Sequence, residues 1–383
     1  MRHLATSAAL LLGAASLAAQ TTWIVDIDNR AGSNFFDLAP ALVVAQPGDT
    51  LRVRASEFGR AYSGFTTAKG VTIVSDGALF STELARVEVV GLPVGETFRM
   101  AGFIGRRNLA FYVRLTDCQG IVQLEDLHAV EFGSFFPTTP SMEVRNCSLV
   151  TMVDCENFGT PALQVDNSRV VLTRCRFGVT SIGIGGGPAL HGTRSTVEVV
   201  EPAFNAALVD PAIALADCTL RLSGTAASFV QGGVDRATNV AAPAVVMTRG
   251  TARIDPLVRL NPFWAGPATG GTGAFSFAVT PAVLVEGDRP NQAMTVRHIA
   301  AVGDTVVGLL GVPALPTPTV FGDVLLRTSP LVATVTTTLN QRVFVQTIPV
   351  PASLPVGVGL AVQDAVLNAS GLTLGIACQF VVH

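Results

Sequence analysis

Six short segments repeat one arrangement of apolar and polar positions. An apolar residue, a variable position and a polar one lead into a small residue, and a strand-type apolar run follows. The segments read LTDC ending at Cys118, VRNC at Cys147, VDNS at Ser168, GTRS at Ser195, LADC at Cys218 and MTRG at Gly250. The small residues recur at intervals of 29, 21, 27, 23 and 32. Behind them lie Ile121 to Leu124, Leu149 to Met152, Val170 to Leu172 and Val197 to Val200. A loose period on β-type segments predicts stacked coils, each burying an apolar side that it cannot bury alone. The polar residues before the small position are Asp117, Asn146, Asn167, Arg194, Asp217 and Arg249. They are expected at a bend, where Asn tolerates unusual backbone angles. A second recurrence, Phe158, Phe177, Phe204 and Phe229, predicts an aromatic stack inside the coils. Asp154 and Arg174, at equivalent positions of successive coils, are expected to pair outward.

The ends differ from this middle. Trp23 to Ile27 reads as a strand. Asp37 then suits a helix N-cap, and Leu38, Leu42 and Ala45 fall on one helical face. Pro47-Gly48-Asp49 ends that helix before a strand from Thr50 to Arg54. Far downstream, Asn261 to Phe275 is rich in Gly and Pro. Short strands with turn residues follow: Ala293 to Val302, Thr305 to Leu310, Val320 to Arg327, Val332 to Thr338, Val343 to Ile348, Gly357 to Ala365 and Leu372 to Val382. They predict a β-sandwich. The organisation read from the chain is therefore all-β: residues 1–18 an export signal, 19–260 a parallel β-helix with an N-terminal helical cap, 261–278 a linker and 279–383 a small β-sandwich.

Composition narrows the function. Only 14% of the 383 residues are charged and the net charge is −3, so there is no basic footprint for nucleic acid. Arg2 and His3 precede an apolar run from Leu4 to Leu17, and Ser16-Leu17-Ala18 offers small residues for cleavage. A secreted, cell-surface or periplasmic protein is expected, with no membrane span after signal removal. Of the 25 basic residues only Lys69 is lysine. The six cysteines, Cys118, Cys147, Cys155, Cys175, Cys218 and Cys378, permit disulfides in an exported chain. Cys118 with Cys147, and Cys155 with Cys175, hold equivalent positions in successive coils. A spacing of about 4.8 Å between coils allows a bridge and equally allows a ladder of buried thiols.

The segments FFDLAPALVVAQPGDTLRV, YSGF and TAKGVTIVSDG resemble the opening of right-handed parallel β-helix proteins of the pectin-lyase-like superfamily. That resemblance, over about residues 23–260, implies an amphipathic helix covering the open end of the stack. The segment IPVPASLPVGVGLAVQDAVLNASGLTLG resembles a small C-terminal β-domain of exported bacterial repeat proteins. Resemblance to pectate lyases implies clustered carboxylates for Ca²⁺ plus a basic residue that takes a proton. Resemblance to polygalacturonases implies paired Asp and an Arg-x-Lys element, which this chain lacks.

The densest polar region, Asp117 to Glu131, supplies the enzymatic alternative. Acid–base work would use His128 with Glu125 or Asp126, and Glu156 lies near in the stack. Ca²⁺ would use Glu125, Asp126 and Glu156; no other cofactor is expected. His191-Gly192 has no adjacent carboxylate. Arg114, Arg145, Arg169, Arg174, Arg176 and Arg194, on successive coils, could form an outward row for anionic polymers. Trp23, Trp264, Tyr62 and Tyr112 are too few for a long aromatic saccharide groove. The leading expectation is a non-catalytic exported protein that binds an extracellular polysaccharide or cell-surface component. The alternatives are a polysaccharide lyase or glycoside hydrolase, and an architectural spacer.

Overall fold

The computed structural model describes residues 20–80, 86–104, 112–129, 140–178, 187–206, 209–234, 238–261, 266–287, 292–351 and 353–382. The expected export signal lies outside them. The described residues between 22 and 277 coil into a parallel β-solenoid with three walls. The first wall contains Arg86–Val90, Tyr112–Thr116, Met142–Arg145, Leu163–Asp166 and Leu190–Thr193. The second contains Leu149–Val153, Arg169–Thr173 and Thr196–Val200, below the first part of Ile121–Ala129. The third contains Glu156–Phe158, Arg176–Gly178 and Ala203–Asn205. The long strands Ile213–Ser223 and Val245–Ile254 run through the first bend and serve both of the first two walls.

The repeated polar residue makes the first bend. Asp117, Asn146, Asn167, Arg194, Asp217 and Arg249 all have φ between 47° and 59°. Asp126, Asp154, Arg174 and Glu201 make the second bend, at φ 50–52°. Left-handed backbone costs a non-glycine residue about 1–2 kcal/mol. Coil-to-coil bonds offset this: Asn146 N–H donates to Asp166 O at 3.0 Å, and Asn167 N–H to Thr193 O at 2.9 Å.

The small residue then completes the bend from inside. Ser168 Oγ accepts the Cys147 N–H at 2.9 Å and donates to Asp166 O at 2.7 Å. Ser195 Oγ accepts the Ser168 N–H at 3.1 Å and donates to Thr193 O at 2.7 Å. Cys218 Sγ accepts the Ser195 N–H at 3.3 Å. The position requires a side chain short enough to fold back and able both to donate and to accept, which Ser and Cys share. Gly250 ends the ladder at φ 97°, where an added Cβ would lie 2.1 Å from Cys218 O. All six cysteines are buried free thiols. Of the two arrangements open to Cys118 with Cys147 and to Cys155 with Cys175, the molecule adopts the thiol ladder.

The interior is filled by Val122, Leu124, Met142, Val144, Val150, Met152 and Leu172, all at most 1% exposed. The expected aromatic stack is shorter than the recurrence suggested. Phe177 and Phe204 share a register and pack at 5.4 Å between ring centroids. Phe158 pairs with Gly178, and Phe229 with Ala203. Each is offset by one residue, and a one-residue offset in a strand turns the side chain to the opposite face.

Helix α1, Leu38–Val44, covers the N-terminal end. Its face Leu38, Ala41, Leu42 and Ala45 is buried on the solenoid core. Asp37 Oδ1 accepts the Leu38 N–H at 2.8 Å. The lone lysine closes the other end: Lys69 Nζ donates to Leu42 O, Val43 O and Ala45 O at 2.8, 3.0 and 2.8 Å. Three converging carbonyls suit a compact ammonium better than a planar guanidinium fork. Trp23 also serves this cap, donating from Nε1 to Asp49 Oδ2 at 3.1 Å.

Thr269–Gly271 and Ala274–Phe277 pair in parallel with Val245–Ile254. The stack therefore continues to Phe277, through most of the segment expected to be a linker. Beyond it, two antiparallel sheets form. Ala282–Glu286, Ala293–Ile299 and Val343–Pro349 make one; Thr305–Thr319, Gly322–Thr338, Gly359–Asn368, Gly371–Leu374 and Cys378–Val381 make the other. Val283, Val285, Met294 and Val296 of the first sheet share a core with Leu310, Leu360, Val362 and Phe380 of the second. This small sandwich lies broadside on the second wall. Ile121, Leu149, Val171 and Val200 of the wall form one apolar cluster with Ala282, Leu284, Ile299 and Ile376.

Candidate functional site on the outer walls

The sandwich divides the predicted site residues. Glu125 points outward from the second wall, only 7% exposed, and its Oε2 accepts the Val381 N–H at 2.7 Å. Arg169 is held between Glu198, at 2.7 Å, and Asp323 of the sandwich. Arg174 forms the expected ion pair with Asp154, with Nε 2.7 Å from Oδ1, yet its Nη1 also donates to Val285 O at 2.8 Å. Arg342 reaches back from the sandwich to buried Asp255 at 2.6 Å. These groups fasten the two units together.

Asp126 bends the chain, so His128 stands on the third wall while Glu125 stays on the second. The four enzymatic candidates therefore do not converge. Three do: His128 Nε2 lies 2.7 Å from Asp126 Oδ1, and Nδ1 lies 3.4 Å from Glu156 Oε2. Arg176 approaches Glu156 Oε1 at 3.5 Å. The hydrogen bond to Asp126 raises the His128 pKa against partial burial, and Glu156 adds to the rise. A carboxylate oxygen lies within 3.4 Å of each ring nitrogen, so the ring bridges Asp126 and Glu156. The Ca²⁺ set is split in the same way. Among the described residues, no three or more His, Cys, Asp or Glu side chains converge as a metal site.

The first wall carries a polar strip that is partly exposed to solvent. Glu88, Arg114, Glu143, Gln164 and His191 stand in register on successive coils. Thr116, Arg145, Asp166 and Thr193 form the next outward row. Arg114 Nε is 2.9 Å from Glu143 Oε2, and Arg145 Nη2 is 2.6 Å from Glu143 Oε1. Gln164 and Thr193 both donate to the Asp166 carboxylate at 2.7 Å. At the bend, Asn167 Nδ2 donates to Asn146 Oδ1 at 3.1 Å, and Asn146 Nδ2 to Asp117 Oδ1 at 2.8 Å. Arg194 continues this edge beside Asp217, which pairs with Arg249 at 2.6 Å. The expected arginine row is thus spread over three walls. Arg114, Arg145, Arg169, Arg174 and Arg176 are each matched by a carboxylate, commonly from a neighbouring coil.

Sequence reasoning passed over Arg221 and Arg253. They stand in register on the last coils of the second wall, where the sandwich cover ends. A cleft of about 430 Å³ opens there, lined by Arg221, Arg253, Thr219, Thr251, Ser276 and Phe321 among others, with no carboxylate among the described residues of its lining. Arg221 Nη1 is 2.7 Å from Glu198 Oε1, and Arg253 Nη2 donates to Val279 O at 2.6 Å. Burial and the like charge of Arg221 push the Arg253 pKa down, with Asp255 opposing. The strands TLRL and TARI contained a signal: an arginine at the same outward position of two successive coils, where the preceding coil carries Glu198. No protein-family model matches this chain, and no curated protein matches it significantly.

Proposed function

We propose that this chain is an exported, non-catalytic binding protein, and that its β-helix is a rigid platform for an extracellular polysaccharide. The observation that carries this reading is the polar strip of the first wall. Its carboxylate, amide, imidazole and hydroxyl groups repeat at the spacing of stacked strands, about 4.8 Å. A regular, partly exposed ladder offers hydrogen bonds to a long hydroxylated polymer. The paired charges keep these side chains in place before a ligand arrives, which lowers the ordering cost of binding. Export rests on the basic and apolar pattern of residues 1–18. The broadside packing of the sandwich speaks against a spacer that holds it away from the coils.

Purified protein passed over immobilised neutral and acidic polysaccharides tests this reading. Retention on at least one, with no reducing ends or unsaturated products released, is expected. Product release overturns the non-catalytic reading, and passage through every column without retention overturns the binding reading.

A further inference from the structure

We propose that the cleft at the last coils binds an acidic saccharide unit, meaning a hydroxylated ring that carries a carboxylate or sulfate. The floor provides the chemistry. Arg221 and Arg253 are neighbours across one coil step, as are Thr219 and Thr251, and Ser276 extends the Arg row. Two guanidinium groups on one side of a cleft repel each other, and an anion between them removes that repulsion. Arg221 already has Glu198 as a partner, whereas Arg253 is tied to a carbonyl, which is neutral. Arg253 is therefore the anchor and Arg221 the supporting charge.

The remaining lining selects a sugar over a bare ion. Thr219, Thr251 and Ser276 are exposed hydroxyls beside the two arginines, suited to ring hydroxyls. Phe321, at the tip of the sandwich hairpin and 46% exposed, closes one side with an apolar ring. A pyranose has both an apolar face and a hydroxylated rim, and the cleft presents a surface for each. A second cleft of about 480 Å³, lined by Asn368, Ser370, Thr373 and Asp304, adjoins on the other side of Arg253. Its Asp304 carboxylate disfavours a second acid there and suits a neutral neighbouring unit. The preferred ligand is then a chain in which an acidic unit is followed by a neutral one.

The site stands on the cleft geometry, and only its place in a polymer complex rests on the platform reading above. Titration calorimetry with three trimers tests it: galacturonate, sulfated galactose and neutral galactose. At least one acidic trimer should bind the full protein, and the neutral trimer should bind at least about tenfold more weakly. Which acidic trimer binds separates carboxylate from sulfate recognition. Arg253→Ala should weaken that binding at least about tenfold, with the melting temperature unchanged. Arg60→Ala, which removes a charge at the opposite end of the stack, should leave it unaltered. Equal binding by Arg253→Ala, or no binding of either acidic trimer by the wild type, overturns the site. Retention of the wild type on a neutral polysaccharide in that last case leaves the platform standing and removes only the cleft.

Discussion

The Glu125 carboxylate accepts the Val381 N–H at 2.7 Å, joining the fifth residue of a solenoid strand to the last strand of the sandwich. A side chain that belonged to the enzymatic alternative in sequence is a buried fastener. Glu125→Ala removes the acceptor from a buried N–H, at a cost of about 1–3 kcal/mol. A lowered melting temperature and faster amide exchange at Val381 are expected. Unchanged exchange at Val381 would show that the sandwich does not depend on this contact.

The bend ladder makes a second prediction. Ser195→Ala leaves the Ser168 N–H without its acceptor inside the stack. A loss of about 1–3 kcal/mol is expected, because that donor is buried. Ser195→Cys should recover most of it, since Cys218 already performs the same service for the next N–H. Chemical denaturation of the three proteins decides this. If alanine and cysteine prove equally stable, the hydrogen-bond role of the small position is wrong.

Lys69 offers a test of the cap. Lys69→Met keeps the aliphatic stem and removes three donors from the end of α1. The expected loss is about 1.5–3 kcal/mol, the range for hydrogen bonds to a charged group. Lys69→Arg should recover only part of it, because the fork cannot meet three convergent carbonyls as the ammonium does. Denaturation midpoints that do not differ between lysine and arginine would contradict this.

A pH dependence follows from the sandwich core. Asp364 Oδ1 lies 2.7 Å from His298 Nδ1, and both residues are fully buried. Burial raises the Asp364 pKa, and His298 offsets this only in part. Its folded value thus exceeds the unfolded one of about 3.9. The resulting stabilisation is fully present below the unfolded value and is lost as pH rises through the folded one. Asp364→Asn should therefore lose less stability than the wild type as pH rises across that window. Parallel melting curves against pH for the two proteins would refute it.

The coils were legible because their bends recur as small-residue signals and their interiors as apolar runs. The docking of the sandwich was less visible, although the strands carry a mark of it. First-wall strands alternate, as in MEVR and LQVD, with one face in water. The second-wall strand LVTMV is buried at every position, and apolar residues at both inward and outward positions, interrupted only by Thr151, signal cover on both faces. The Phe recurrence misled because bend lengths vary, and a shift of one residue exchanges inside for outside. Glu125 failed to join the other three candidates because Asp126, at φ 50°, turns the chain between it and His128.

The central claim is that this β-helix holds a polysaccharide without cutting it. The most direct measurement incubates the purified protein with each polysaccharide that retains it, then follows co-sedimentation and reducing-end or unsaturated-product release together. Co-sedimentation with an unchanged polymer length is the predicted result. Shortening of the polymer, abolished by His128→Ala, would contradict the account and return the Asp126, His128 and Glu156 cluster to catalysis.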